Sequence, residues 1–393
     1  MHRAQFDRVP DGRESSDSYR SRAYRLLGVG LVALVGWRTG LQTELSAQTA
    51  PLPPSNVRIL VNGSEPPPPP PPPTGTGQQP GITCPGGVDV FPGASIQAAI
   101  NNNPGNTTFC IRAGIHAVRS AITPKSGNVF VGEYGAVLDG SGWATSDVNQ
   151  GAFRAHNEDI NDVTIRNLVI RNMPQKGIHA FKDYADRWTI ENNEITGTLV
   201  GVAAPNYSLV RNNYIHHNTD GGYFGYRIVG TTFEGNEFSY NGRHKVVATS
   251  NVTFRNNFVH HNIVDGIWYD ADNTNGLVEG NRVEDNGREG IFYEISQVAT
   301  IRNNTVRRNV SSGIFVSTSK NVEAYGNTVE NNLIGIQFFV NCGLVGQGTI
   351  SYDLANNTAY DNTVRVGTAS GSYGSGFVYL SSCTSAQAWW PPC

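Results

Sequence analysis

Apolar residues return along the second half of this chain at a fixed stride, and asparagines return with them. Residues 262–297 show the unit twice: Asn262 with Gly266-Ile267-Trp268-Tyr269-Asp270, then Asn286 with Gly290-Ile291-Phe292-Tyr293-Glu294, every matched pair 24 residues apart. The first Asn of the wider pattern falls at 193, 213, 236, 257, 281, 304, 327 and 357, and the second at 218, 241, 262, 286, 309, 332 and 362. Gly-apolar pairs follow at 177, 201, 222, 266, 290, 313 and 335. A stride of mostly 20 to 24 residues, made of short β-segments with no helical stripe, predicts a solenoid whose coils bury their apolar positions only against neighbouring coils. The leucine lattice of a leucine-rich repeat is missing. Asparagine at a fixed turn position suits a stacked column, since its amide both donates and accepts and tolerates left-handed backbone. The predicted fold is all-β, a right-handed parallel β-helix.

A solenoid needs covers at its ends. Residues 95–100, Ser-Ile-Gln-Ala-Ala-Ile, read as a short amphipathic helix with Ser95 as N-cap, a natural cover for the N-terminal end. Short strands are expected at 108–111, 121–122, 129–131 and 136–138, with Gly or Pro between them. Ahead of this domain (83–393) lie a leader, residues 1–50, and a Pro/Gly-rich linker, residues 51–82. Six arginines within residues 1–25 precede the apolar run 26–37, which has the length of a signal-peptide core and is short for a membrane span. The leader is therefore expected to be a cleaved signal, with an uncleaved membrane anchor as the alternative. The prolines at 66–73 are expected to form an extended spacer.

Composition adds three constraints. Only 16% of residues are charged and Gly numbers 44, which suits a turn-rich β protein. A net charge of -3 with no basic stripe argues against a nucleic-acid partner. The 5 cysteines fit an oxidising compartment, with Cys84–Cys110 and Cys342–Cys383 as the expected pairs and Cys393 left over. Secretion, or a periplasmic or cell-surface location, follows.

Residues 83–382 resemble the secreted bacterial right-handed parallel β-helix proteins of the pectin-lyase-like superfamily. The resemblance is carried by TCPGGVDVFPGASIQAAI…TTFCIRAGIH and ITPKSGNVFVGEYGAVLDGS at the entry, and by GIWYDADN…VEGNRVEDN…GIFYEIS…IRNN later. It implies a polysaccharide partner, and lyase, hydrolase or C5-epimerase chemistry, although non-catalytic members also exist. The best-known epimerase motif, Asp-Pro-His-Asp, does not occur.

Alternation along a strand then picks out a face. With Ile267 and Ile291 in the core, the residues before and after them face outward, which selects Trp268, Asp270, Phe292 and Glu294, with Lys245 replacing a glycine in the preceding coil. Phe224 and Tyr226 precede this set, and Phe315 and Ser317 follow it. Asp270 and Glu294 on adjacent strands repel unless a cation or a proton intervenes. Removing a proton beside a sugar carboxylate requires a base and a countercharge, so Lys245, Asp270 and Glu294 are the catalytic candidates. The exposed aromatics Trp268, Phe292 and Tyr226, with Arg288, Arg243 and His244, are candidates for binding an acidic glycan. Asp270, Asp272 and Glu294 could hold Ca²⁺. Asp270 and Glu294 would alternatively serve a glycoside hydrolase, and the same face would suit a non-catalytic, polysaccharide-binding adhesion protein. Asp265 and Glu289 read as turn residues, His216-His217 and His260-His261 as solvated turns. A monomer is expected.

Overall fold

The computed structural model describes residues 58–61, 77–155, 159–180, 185–340, 354–366 and 375–380. Each coil lays down one short strand on each of three faces. Stacking gives three parallel sheets, A, B and C, of 12, 12 and 10 strands. One coil shows the plan: Thr189–Glu191 in A, Glu194–Thr196 in B and Val200–Ala203 in C. The chain is a right-handed parallel β-helix, as the stride requires.

Register is residue-for-residue, so like stacks on like. In sheet A Ile190 lies between Ile165 and Val210, and in sheet B Ile195 lies between Ile170 and Ile215. The three inward columns meet in one continuous core, where Ile190, Ile195, Phe233, Phe238, Ile267, Tyr269, Ile291 and Tyr293 are all buried. Ile267 and Tyr269 sit on one side of their strand and Trp268 on the other, so the core parity inferred from the sequence holds.

The asparagines form two buried ladders. Each Nδ2 donates to the next Oδ1 along Asn193, Asn213, Asn236, Asn257, Asn281, Asn304 and Asn327, with distances of 2.9 or 3.0 Å. The second ladder runs Asn218, Asn241, Asn262, Asn286, Asn309 and Asn332. Two details differ from the sequence reading. The left-handed backbone is borne by the residue just before the ladder, as at Asn212 (φ 54°) before Asn213. The first ladder also continues from Asn327 to Asn362, not to Asn357, because 35 residues separate these coils. Asn357 instead serves another corner, accepting from the Val322 amide.

At the entry the helix Ile96–Asn101 is capped by the Ser95 hydroxyl, which accepts from the Ala98 amide, and it buries Ile96 and Ile100. Strands Thr108–Ile111, Val129–Gly132 and Ala136–Asp139 form where expected, and Gly114–Ala117 adds one more. Residues 121–122 contribute only an isolated bridge, from Ile122 to Phe153. Cys84 and Cys110 are joined by a disulfide. Cys342, Cys383 and Cys393 lie outside the described residues, as does the leader. Within the stretch expected to be linker, Arg58–Val61 pairs in parallel with Thr363–Val366, adding a strand to the C-terminal edge of sheet B. Edge pairing of this kind satisfies backbone groups that the last coil would otherwise leave open.

Candidate functional site

The outer face of sheet C carries two columns of side chains. Phe224, Lys245, Trp268, Phe292 and Phe315 form one, and Tyr226, Val247, Asp270, Glu294 and Ser317 form the other. Lys245 pairs with Phe224, so it occupies the aromatic position and not the glycine position. The coil is two residues shorter ahead of its strand, and a two-residue shift preserves facing while changing the column.

The glycines themselves face inward. A Cβ on Gly266 would lie 2.4 Å from both Val283 Cγ1 and the Gly290 carbonyl oxygen, and one on Gly290 would lie 2.4 Å from Val306 Cγ1. Strict alternation therefore breaks at this corner. A Gly266→Ala change is expected to cost about 2 kcal/mol or more through this overlap, read as a lower denaturation midpoint.

Lys245 Nζ donates to Asp270 Oδ2 at 2.5 Å and lies 4.9 Å from the centre of the Trp268 ring. The other Asp270 oxygen accepts from the Ala271 amide at 2.8 Å. Glu294 Oε2 accepts from Trp268 Nε1 at 3.2 Å. Burial, reinforced by the Asp270 charge, pushes the Glu294 carboxyl up to about 7, against the pull of the Trp268 N–H. These three candidate residues thus meet on one face, as a cation, an ionised carboxylate and a carboxyl poised to exchange a proton near neutrality. Each partner of the ion pair keeps some solvent access, with side chains 27% and 19% exposed. A double-mutant cycle on Lys245→Met and Asp270→Asn should accordingly give a coupling of only about 1 kcal/mol, measured by denaturation.

Other expectations change. Trp268 and Phe292 point outward but are 8% and 3% exposed. Their rings stack on each other at 5.6 Å, and Phe292 stacks on Phe315 at 4.9 Å. Faces spaced at the strand separation cover one another, so the exposed aromatic platform is not there. Tyr226 does remain exposed, with the Arg227 guanidinium 5.0 Å from its ring centre. His244 is buried, stacked on Tyr223, with Nε2 bonded to the Gly266 carbonyl, so it does not face a ligand on the surface. Burial pushes its imidazole down to about 4. The Ca²⁺ trio does not assemble: Asp270 is committed to Lys245, and Asp272 lies past the strand at φ 63°. Among the described residues no group of three or more His, Cys, Asp or Glu could hold a metal ion.

Asp265 and Glu289 sit in the turns ahead of Ile267 and Ile291, as expected, and come against each other there. Both are buried, at 1% and 6% exposure, and the Glu289 amide donates to Asp265 Oδ1 at 3.2 Å. Burial and the neighbouring Glu289 carboxyl hold the Asp265 carboxyl well above its usual range. Arg288, half-exposed, brings Nε within 3.1 Å of Glu289 Oε2. The signal was present, an acid directly before the glycine in both copies, but the inward glycine hid where it points.

Fold and repeat together define the class as a right-handed parallel β-helix protein. Residues 151–275 match the family described as "Right handed beta helix region" and residues 244–379 match "Periplasmic copper-binding protein (NosD)". The chain is structurally similar to the Azotobacter vinelandii mannuronan C-5 epimerase AlgE4 A-module, at 20% identity and a TM-score of 0.60 over 72% of this chain and 91% of that one. It is also similar to the AlgE6 A-module of the same organism, at 20% identity and 0.52 over 72% and 93%. The Streptococcus pneumoniae surface adhesin PfbA aligns at 12% identity and 0.48 over 75% and 99%. No curated protein matches the chain by sequence. At such identities the likeness is one of fold.

Proposed function

We propose that the outer face of sheet C acts on an acidic polysaccharide outside the cytoplasm, moving a proton at a uronate sugar as a lyase or C5-epimerase does. One observation carries this reading: Glu294, a half-buried carboxyl with a proton affinity near neutrality, lies beside the Lys245–Asp270 pair. A group that titrates near the working pH is an effective acid or base. The Lys245 ammonium, fixed by Asp270 and the Trp268 ring, supplies positive charge for the sugar carboxylate and is not a free base. Exposed Tyr226 and half-exposed Arg288 would extend the binding surface along the face. The scaffold is the one on which the two Azotobacter epimerase modules are built. The disulfide at the entry and the leader in the sequence support an oxidising location. Among the described residues no helix is long and apolar enough to cross a membrane.

The test is incubation of the purified chain with polymannuronate and polygalacturonate, following the ultraviolet absorbance of unsaturated product and the epimer ratio by NMR. Activity that survives both Glu294→Gln and Lys245→Ala would overturn the assignment. A second reading has its own support, since a protonated Glu294 next to an ionised Asp270 is also the acid–carboxylate pair of a glycoside hydrolase. Reducing ends released without unsaturation would select it. Saturable binding with no product would select a carbohydrate-binding adhesion protein.

A further inference from the structure

Sheet B carries a second cluster, on a different face from the site above. His216 ends the strand Tyr214–His216 and His260 ends Phe258–His260. In an extended strand the next side chain would point to the opposite face. Here His217 and His261 both adopt φ 53°, and that turn brings consecutive imidazoles edge to edge. Nδ1 of His216 lies 2.7 Å from Nδ1 of His217, and the His260–His261 pair repeats this at 2.8 Å.

The inner ring of each pair is anchored by a carboxylate. His216 Nε2 lies 3.4 Å from Glu194 Oε1, and His260 Nε2 lies 3.2 Å from Glu237 Oε1. Aromatic rings brace the same histidines: Tyr214 stacks on His216 at 3.9 Å and Phe258 on His260 at 4.0 Å. Tyr240 lies between the outer rings, 5.0 Å from His217 and 5.2 Å from His261. A nitrogen–nitrogen contact this short needs one hydrogen between the two atoms. One tautomer set satisfies this: Nε2–H of the inner ring faces the carboxylate, its Nδ1 keeps a lone pair, and the outer ring supplies the Nδ1–H.

We propose that these pairs are two matched sites for a nitrogen-preferring divalent cation such as zinc. Moving the outer ring's proton from Nδ1 to Nε2 leaves two lone pairs facing each other along the line between the ring centres, 5.0 and 5.1 Å apart in the two pairs. A tilt of the exposed outer ring that opens the nitrogens to roughly 3.3 Å would let both accept metal bonds of about 2.0–2.1 Å at a tetrahedral angle. Glu194 and Glu237 then play the part of the outer carboxylate that orients a metal-bound imidazole. No third protein ligand joins either pair among the described residues, so water completes each coordination sphere. The other described histidines are engaged elsewhere: His116, His179 and His244 each contact a backbone carbonyl.

The sites are tested on the full chain by calorimetric titration with zinc chloride in a non-chelating buffer. The wild-type should bind two equivalents that are lost when His217→Gln and His261→Gln are combined, with one equivalent left in each single variant. Glu194→Gln should weaken one of the two equivalents by about tenfold or more while leaving the other intact. Both outer histidines are exposed, so the variants should keep the wild-type melting temperature, which is measured alongside. Unchanged stoichiometry in the double variant, or no saturable zinc binding in the wild-type, would overturn the proposal.

Discussion

Glu294→Gln is expected to lower turnover on the true substrate by roughly 10²–10⁴-fold while making the folded chain more stable at alkaline pH. Both effects have one cause. Burial first, and the Asp270 charge second, raise the Glu294 carboxyl to about 7 from an ordinary 4.5. Below the ordinary value both folded and unfolded chains are protonated. Between the two values the unfolded chain has released its proton and the folded chain has not, so stability falls as pH rises. Above about 7 the folded chain carries the partly desolvated charge and the loss is complete. Glutamine has no proton to lose. The variant should match the wild-type near pH 4 and exceed it by roughly 2 kcal/mol near pH 8, read from denaturation midpoints. Asp265, raised by burial and by Glu289, leaves a residual slope in both proteins, so the difference between the curves is the measurement. Equal pH dependence in both proteins would remove Glu294 from the proposed role.

The largest loss of stability should come from a residue with no part in chemistry. Asn281 accepts from the Asn257 amide and side chain at 2.9 Å each, and donates to the Phe254 carbonyl at 2.9 Å and to Asn304 Oδ1 at 3.0 Å. Asn281→Ala removes these partners from groups that water cannot reach. An unsatisfied buried group costs about 1–3 kcal/mol, so a total near 4 kcal/mol is expected after relaxation. Asn281→Asp keeps the acceptor, loses the donor and buries a charge, and should be no better. Because coils contact only their neighbours, the damage should be local. Hydrogen exchange should accelerate in coils around 254–304 before the ends respond. Uniform acceleration along the chain would contradict that picture.

Much of the architecture was legible because a solenoid writes its three-dimensional period into one dimension. A stride of 20 to 24 residues, with asparagine at a fixed phase, admits few folds that stack like on like. Ser95 and the apolar spacing behind it announced the entry helix for the same local reason. Facing along the strands was legible too: Ile267 and Tyr269 go in, and Trp268 and Asp270 go out.

What escaped was whatever depends on two coils at once. Trp268 and Phe292 look like sugar platforms in sequence, yet stacking across the strand spacing hides their faces. Lys245 appears in a glycine position, but its partners in the register are Phe224 and the Trp268 ring. Asn362 takes over a ladder that counting had given to Asn357. His216-His217 and His260-His261 read as solvated turns, whereas left-handed backbone sets each pair's nitrogens against each other.

The sequence by itself determined the repeat, the inward apolar columns and the shared outward face of Asp270 and Glu294, since each follows from period and alternation, whereas Lys245 joins them through a shift that only the register shows. Only the tertiary structure decided their chemistry. Proton affinity depends on burial and on neighbours 20 or more residues away, and neither is a property of any one strand. The inward turn at Gly266 and Gly290 likewise placed Asp265 against Glu289, a contact that strict alternation could not show.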